Sequence, residues 1–331
     1  MHKHYLVHFT LFTSCYIVSL YNKAKNMEEI IYITGHKSPD TDTICSAIAH
    51  AEHLKSKGVN VVPAKCGEIN PETKFVLDYF GVEEPITIDS VADKKIVLVD
   101  HNEKTQSPEG IDNAKVIGVI DHHKMGFSSN EPIEVEIKPV GSTATIIAQR
   151  MMKENFPIDK KIAGLLLSAI LSDTVIFKSS TTTRLDIETA EELNKIVGLK
   201  DIKAFGIEMK KKKSSLSGLT AEQIIKSDFK IFESSLGNLG VGQIETADLT
   251  EALARKEELL KEMNSIKEKE GLLFLILMLT DIINEGSELL ISEGFELKDI
   301  FKKEIKDNSV YIEKMMSRKK DLLPIITSAL K

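Results

Sequence analysis

The sequence predicts an α/β protein in which a doubly wound, mainly parallel sheet domain is followed by a smaller α/β domain. Fully apolar runs at residues 96–99 and 116–120 are typical of strands that are buried on both faces of a parallel sheet. Segments with helical periodicity alternate with such strands from Met27 onwards. Near residue 210 the composition changes to a run of four lysines followed by serine and glycine, which is typical of a linker.

The first domain is predicted to alternate strands and helices. The helix at 71–80 is the best delimited, because Pro71 stands at its start and Gly81 follows its end. The predicted strands are 30–33, 60–64, 96–99 and 116–120, and the other helices are 43–57, 143–155, 159–171 and 186–197.

The second domain is predicted to begin with a short helix at 221–227 and a hairpin near Gly237 and Gly240. A charged helix at 250–269, a buried strand at 272–279, a strand near Leu289 and a final helix from Asp321 follow. We therefore divide the chain into an extension at 1–26 outside the fold, a first domain at 27–209, a flexible linker at 210–218 and a second domain at 219–331. A hinge that attracts phosphate is the alternative interpretation of the lysine run.

The sequence argues against a nucleic-acid-binding protein, a disulfide-rich protein and a membrane protein. The 331 residues are 42% hydrophobic and 28% charged, and the net charge of −7 argues against a nucleic-acid-binding surface. Three cysteines, Cys15, Cys45 and Cys66, cannot form a disulfide framework, so we expect a cytoplasmic protein. Residues 5–21 are mostly apolar but contain polar residues and lead to no cleavage site, so we expect no membrane segment.

Acidic residues and histidines cluster where the predicted strands and one helix end. Ligands of open parallel sheets bind at the carboxyl ends of the strands, so these groups are expected to converge. Each aspartate alone is more often a helix cap or a turn residue, and a lone histidine is more often structural. The cluster comprises His36, Asp40, Asp42, Asp100, Asp121, His122, His123 and Asp173.

Four carboxylates in one crevice, from Asp40, Asp42, Asp100 and Asp173, would repel one another unless cations neutralise them. Two divalent ions would balance these charges, with His36 and His122 as neutral ligands. Mixed nitrogen and oxygen ligands favour Mn²⁺, Zn²⁺ or Co²⁺ over Mg²⁺ or Ca²⁺. A two-metal site in turn points to phosphoryl chemistry.

The motifs resemble those of the DHH phosphoesterase superfamily. GHKSPDTDT at 35–43, VDHNE at 99–103, DHH at 121–123 and SDT at 172–174 look like its four motifs. SRKK at 317–320 resembles the signature of the pyrophosphatase branch, although Asp321 stands where we expect glutamine. The chain is similar to family II, manganese-dependent inorganic pyrophosphatases from about Met27 to Leu330, which implies a DHH-type domain followed by a DHHA2-type domain.

The resemblance also implies a role for each site residue. One metal would bind His36, Asp40 and Asp100, and the other would bind Asp42, Asp100, His122 and Asp173. His123 would be the proton donor or a substrate contact. Phosphate would be bound by Lys230, Arg318 and Lys319.

The implied reaction is hydrolysis of pyrophosphate to two orthophosphates by in-line attack of a hydroxide that bridges two Mn²⁺ ions. Co²⁺ is possible in their place, Mg²⁺ would accompany the substrate, and the site would lie in an interdomain cleft. A homodimer is also implied. A short-chain exopolyphosphatase is the main alternative function. A nuclease of the superfamily is disfavoured because the sequence lacks the glycine-rich motif expected of such nucleases. A non-enzymatic scaffold is disfavoured because the set of metal ligands is complete.

Overall fold

The computed structural model describes residues 29–213, 216–294, 300–301 and 303–329, so the predicted extension at 1–26 lies outside it. The chain divides into two compact units. The described residues of the first unit lie within 1–69 and 77–198, and those of the second unit lie within 70–76 and 199–331. No helix among the described residues is long and apolar enough to span a bilayer.

The first unit contains a parallel sheet of six strands, in the order β3-β2-β1-β4-β5-β6. The strands are β1 (Ile31–Thr34), β2 (Val61–Lys65), β3 (Ile86–Thr87), β4 (Lys95–Val99), β5 (Lys115–Asp121) and β6 (Glu134–Ile137). The strand order reverses between β1 and β4, and a doubly wound sheet binds its ligands at such a point. Both β1 and β4 lead directly into residues of the predicted site.

Helices connect and cover these strands. They are α1 (Thr41–Ser56), α2 (Pro71–Phe80), α3 (Thr143–Lys153), α4 (Lys160–Asp173) and α5 (Arg184–Val197). Helix α6 (Ile202–Lys213) belongs to the second unit, as do the first six residues of α2. Helix α4 is apolar around most of its surface and is almost wholly buried, because it packs between α1 and α5. The predicted bounds of α2 are confirmed, and the other predicted helices of this unit are confirmed to within three residues.

The second unit has a five-stranded sheet in the order β11-β10-β9-β8-β7. Its elements are α7 (Ala221–Lys226), β7 (Phe229–Phe232), β8 (Leu239–Thr246), α8 (Leu249–Leu253), α9 (Lys256–Lys269), β9 (Phe274–Asp281), β10 (Gly286–Ile291), β11 (Ser309–Glu313) and α10 (Leu323–Ala329). Strand β9 is buried along its whole length, because an apolar cluster lies on each face of the sheet. The hairpin of β7 and β8 is antiparallel, as predicted.

The segment expected to be a linker begins inside a helix. Residues 210–213 form the last turn of α6, and the Nζ atom of Lys210 lies 3.2 Å from Oε1 of the buried Glu72. Lys211 pairs with Asp248, and Lys212 lies over the ring of Phe75. Residues 210–213 are therefore helical and these three lysines have structural partners, so the prediction of a flexible linker is wrong for 210–213.

Candidate metal centre

The loop between β1 and α1, together with the first turn of α1, holds three of the predicted ligands. Gly35 lets the chain pass close to the helix, since a Cβ there would lie 2.3 Å from Cγ2 of Thr43. Asp40 is the N-cap of α1, and its side chain accepts a hydrogen bond from the Thr43 amide at 3.0 Å. The Nε2 atom of His36 lies 3.7 Å from Oδ1 of Asp40. Asp42 is fully buried in the first turn of α1.

Asp100 occupies the centre of the site, directly after β4. It is buried and adopts a left-handed backbone with φ of 62°, which is costly for a residue other than glycine. Two threonine hydroxyls hold its carboxylate: Thr43 donates to Oδ2 at 2.7 Å, and Thr143 donates to Oδ1 at 3.1 Å. The carboxylate therefore has a defined orientation, with His36 Nε2 3.6 Å from Oδ2.

The DHH triplet lies at the carboxyl end of β5. Asp121 is buried and accepts hydrogen bonds from the backbone amides of His122 and His123 and from Nδ1 of His123, at 2.8 Å. The Asp121 carboxylate raises the pKa of His123. The ring of His122 contacts the carbonyl oxygen of Val140 through Nδ1, so its Nε2 is the nitrogen available to the site.

The predicted ligands form two groups that share Asp100. In each group the ligand atoms all lie within 4.8 Å of one another. The first group is His36, Asp40 and Asp100, and the second is Asp42, Asp100, His122 and Asp173. Asp121 and His123 also fall within this distance of Asp100 and His122, but Asp121 is already engaged by His123, by backbone amides and by Asn102.

The second group contains a nitrogen that lacks a partner of its own. Nε2 of His122 is buried without a hydrogen-bond partner, 3.4 Å from Asp100 Oδ1 and 3.6 Å from Asp173 Oδ2. A buried imidazole nitrogen normally makes a hydrogen bond. One placed between two carboxylates at these distances is arranged for a cation that all three can bind. The residues therefore fit a transition-metal site.

The electrostatics of the cluster agree with this interpretation. Burial lowers the pKa of His36, but the Asp100 and Asp40 carboxylates outweigh it and raise the pKa to about 10. Burial also lowers the pKa of His122, but the Asp100 and Asp42 carboxylates outweigh it and raise the pKa to about 9. Burial and the Asp100 charge raise the pKa of Asp42 to about 7. Without a cation the cluster keeps protons to balance its carboxylates, and divalent ions would take the place of those protons.

The sequence reasoning missed the residues that support the ligands. The amides of Thr143 and Ala144, at the N-terminus of α3, donate to Oδ2 and Oδ1 of Asp42 at 2.6 and 3.0 Å. Asp186 is buried and accepts from the Gly141 amide and the Thr145 hydroxyl, so it holds this end of α3. The signal for these contacts was weak, because each joins residues more than 40 positions apart.

The three predicted phosphate-binding residues belong to the second unit. Lys230 is exposed on β7, and Lys319 is exposed in the π-helical turn Arg318–Leu322. Arg318 is buried instead, and its Nη2 donates to both carboxylate oxygens of Asp228 at 2.8 and 3.0 Å. Its Nη1 donates to the carbonyl oxygens of Asp228 and Val241. These contacts do not involve Nε.

Two family models match the chain. The DHH family N-terminal domain matches residues 30–170, and the DHHA2 domain matches residues 207–329. The chain is 46% identical to a manganese-dependent inorganic pyrophosphatase of Methanothrix thermoacetophila over 92% of this chain and 100% of the relative. It is 45% identical to that of Methanocaldococcus jannaschii over 90% of this chain and 98% of the relative.

Solved structures are also similar to this chain. A putative family II inorganic pyrophosphatase from Methanococcus jannaschii superposes with a TM-score of 0.60 at 44% identity, over 91% of this chain and 99% of that one. An exopolyphosphatase-related protein from Bacteroides fragilis superposes with a TM-score of 0.50 at 15% identity, over 96% of each chain. The second likeness concerns the fold alone.

Proposed function

Because the chain belongs to the manganese-dependent, or family II, inorganic pyrophosphatases, we propose that it hydrolyses pyrophosphate to two orthophosphates at the cluster centred on Asp100. The observation that carries this proposal is the pair of ligand groups that share Asp100, with the partnerless Nε2 of His122 facing two of the carboxylates. The comparisons do not favour the exopolyphosphatase alternative.

Two Mn²⁺ ions would bind the two ligand groups, one with His36, Asp40 and Asp100 and the other with Asp42, Asp100, His122 and Asp173. When bound, the ions supply the Lewis acidity that lowers the pKa of water and neutralises phosphate charge. The imidazole ligands favour Mn²⁺, or Co²⁺ in its place, over Mg²⁺, which we assign to the incoming pyrophosphate. Thr43 and Thr143 hold the Asp100 carboxylate so that each of its oxygens serves one group.

His123 is assigned to proton donation. It is half exposed, and its Nδ1 is held by Asp121, so Nε2 is the nitrogen that can reach a phosphate oxygen. Proton donation to a departing phosphate assists phosphoryl transfer, and such general acids contribute about 10²–10⁴-fold in rate.

Lys230, Lys319 and Arg318 are assigned to the substrate as positive charges for the phosphate groups. The two lysines are exposed and therefore accessible to an anion. Arg318 would bind phosphate through Nε–H, the one side-chain donor that its contacts with Asp228 and Val241 leave available.

Location, assembly and domain limits complete the proposal. Cys45 and Cys66 are free thiols in the described part of the chain, which suits a reducing cytoplasm. We assign a homodimer, which light scattering of the purified protein tests directly. The limits 27–209 and 219–331 remain our proposed domains, and limited proteolysis between them would test these limits.

The decisive experiment measures phosphate release from pyrophosphate, tripolyphosphate and a dinucleotide by the Mn²⁺-loaded protein. Pyrophosphate should be hydrolysed fastest. Asp100→Asn should abolish both activity and Mn²⁺ retention, whereas the matched change at an exposed carboxylate, Asp112→Asn, should alter neither. Faster release from tripolyphosphate would favour the exopolyphosphatase, and release from the dinucleotide would favour a nuclease.

A further inference from the structure

A buried asparagine joins the loop after β4 to the loop after β5. The side chain of Asn102 is 1% exposed, and its Nδ2 donates to Asp121 Oδ2 at 2.6 Å and to the carbonyl oxygen of Lys124 at 3.0 Å. Its Oδ1 accepts from the amide of Gly126 at 2.5 Å. Three of the four hydrogen bonds that an asparagine side chain can make are therefore committed to the segment that carries the DHH triplet.

Asn102 and His123 occupy opposite oxygens of one carboxylate. Oδ2 of Asp121 accepts a hydrogen bond from Nδ2 of Asn102, and Oδ1 accepts one from Nδ1 of His123. An ionised carboxylate only accepts, so Nδ1 of His123 carries the proton of that contact, and Nε2 is directed away from Asp121. The plane of the Asp121 carboxylate thus sets the direction of the His123 ring.

From this chain of contacts we propose that Asn102 is a positioning residue for pyrophosphate hydrolysis, which fixes the Asp121 carboxylate and thereby aims Nε2 of His123 at the substrate. The inference rests on the proposed function, because it takes His123 to be the group that acts on phosphate. Asn102 contacts none of the six assigned metal ligands through these hydrogen bonds. Its effect should therefore fall on the chemical step and leave metal binding unchanged.

Removal of the amide would leave Asp121 Oδ2 buried without its side-chain donor. Asp121 is fully buried, so water cannot readily replace the lost contact, and the carboxylate would rotate towards its remaining donors. His123 is half exposed and has no other side-chain hydrogen bond among those that the structure describes, so its ring would follow the carboxylate. Loss of such a supporting contact typically lowers activity about 10–100-fold.

A double-mutant cycle separates this role from a general structural one. We expect Asn102→Ala to lower kcat about 10–100-fold, with unchanged KM for pyrophosphate and unchanged Mn²⁺ content. Asn102→Ser serves as a second variant if the alanine protein folds poorly. In a His123→Gln background the same change should cost nothing further, because the group that it positions is absent. Ser107→Ala is the matched control: Ser107 is buried in the same loop and contacts His101, but it does not contact Asp121, so kcat should stay at the wild-type value.

Several outcomes would overturn the inference. Wild-type kcat in Asn102→Ala would refute it and leave the proposed function intact. An undiminished loss in the His123→Gln background, or reduced Mn²⁺ content, would show that Asn102 acts on the fold or on the metals. Wild-type kcat in His123→Gln would remove the proposed role of His123 and the positioning role of Asn102 with it.

Discussion

Arg318 is the residue for which a structural role and a substrate role predict different results, and the conservative change Arg318→Lys tests them. The guanidinium is 8% exposed, and it donates two hydrogen bonds to the Asp228 carboxylate and two to carbonyl oxygens. Lysine keeps the charge but presents a single ammonium group, which cannot bridge a carboxylate in the same bidentate way. Both the local fold and any phosphate contact should therefore be weakened.

The structural cost follows from these contacts. A hydrogen bond to a charged group contributes about 1.5–3 kcal/mol when it is buried. The Asp228 side chain is 54% exposed, so solvent screening reduces the value of that pair. We expect a loss of about 2 kcal/mol in the free energy of unfolding, measured by urea denaturation. Asp228→Asn removes the charge of the partner alone and should cost a similar amount or less.

The kinetic result separates the two roles. If Arg318 also binds phosphate, Arg318→Lys should lower kcat/KM by about 10–100-fold, which corresponds to one charge-assisted hydrogen bond. Asp228→Asn should leave kcat/KM near the wild-type value, because it does not alter the phosphate-binding group. Both variants are assayed well below the temperature at which they unfold. If Arg318→Lys is destabilised but retains wild-type kcat/KM, Arg318 is structural and our assignment of it to the substrate is wrong.

Three further predictions concern the metals, the N-terminus and pH. Protein stripped with a chelator should recover full activity with Mn²⁺ but much less with Mg²⁺ alone, because imidazole is a poor ligand for Mg²⁺; equal recovery would contradict the assigned histidine ligands. A chain that starts at Met27 should fold and hydrolyse pyrophosphate as the full chain does, because the described fold begins with β1; insoluble expression would show that residues 1–26 contribute to folding. Burial, and then the charge of Arg150, lower the pKa of His50 to about 3. Below pH 6.5 the unfolded chain takes up a proton at His50 and the folded chain does not, so the free energy of unfolding should fall as the pH drops. Between pH 6.5 and 5.5 the wild type should lose about 1 kcal/mol more than His50→Leu, measured by urea denaturation, whereas the buried control Met151→Leu should follow the wild type; equal losses in all three would contradict the buried, neutral state of His50.

The sequence predicted most of the first unit because its signals are local. Apolar runs mark β4 and β5, and proline and glycine mark the ends of α2. Strand β6 was missed, although its residues 134–137 alternate glutamate with an apolar residue, a pattern typical of a half-buried edge strand. The charged segment at 250–269 was predicted as one helix, but it forms α8 and α9 with a break at Ala254 and Arg255.

Long-range contacts account for the remaining differences. Residues 210–213 suggested a solvated linker because their composition is strongly basic. In the structure they end a helix, and Lys210 contacts the buried Glu72, which lies 138 positions away. The family resemblance assigned Arg318 to phosphate without indicating that Asp228, 90 positions away, engages its guanidinium. No local pattern reveals such partners, so neither the basic composition of 210–213 nor the motif at 317–320 could indicate them.

The aspartates at the site can serve both as helix caps and as metal ligands. Asp40 caps α1 through Oδ1, and the same oxygen faces His36. Asp42 accepts the first amides of α3, and a helix N-terminus carries a partial positive charge. Two helix N-termini therefore stabilise carboxylates that would otherwise repel one another, and the threonine hydroxyls do the same for Asp100. This arrangement stabilises three carboxylates of the cluster, Asp40, Asp42 and Asp100, before any cation binds, whereas Asp173 is the last residue of α4 and has no helix N-terminus of its own. Residues typical of helix caps and first turns therefore also stand at the positions of metal ligands.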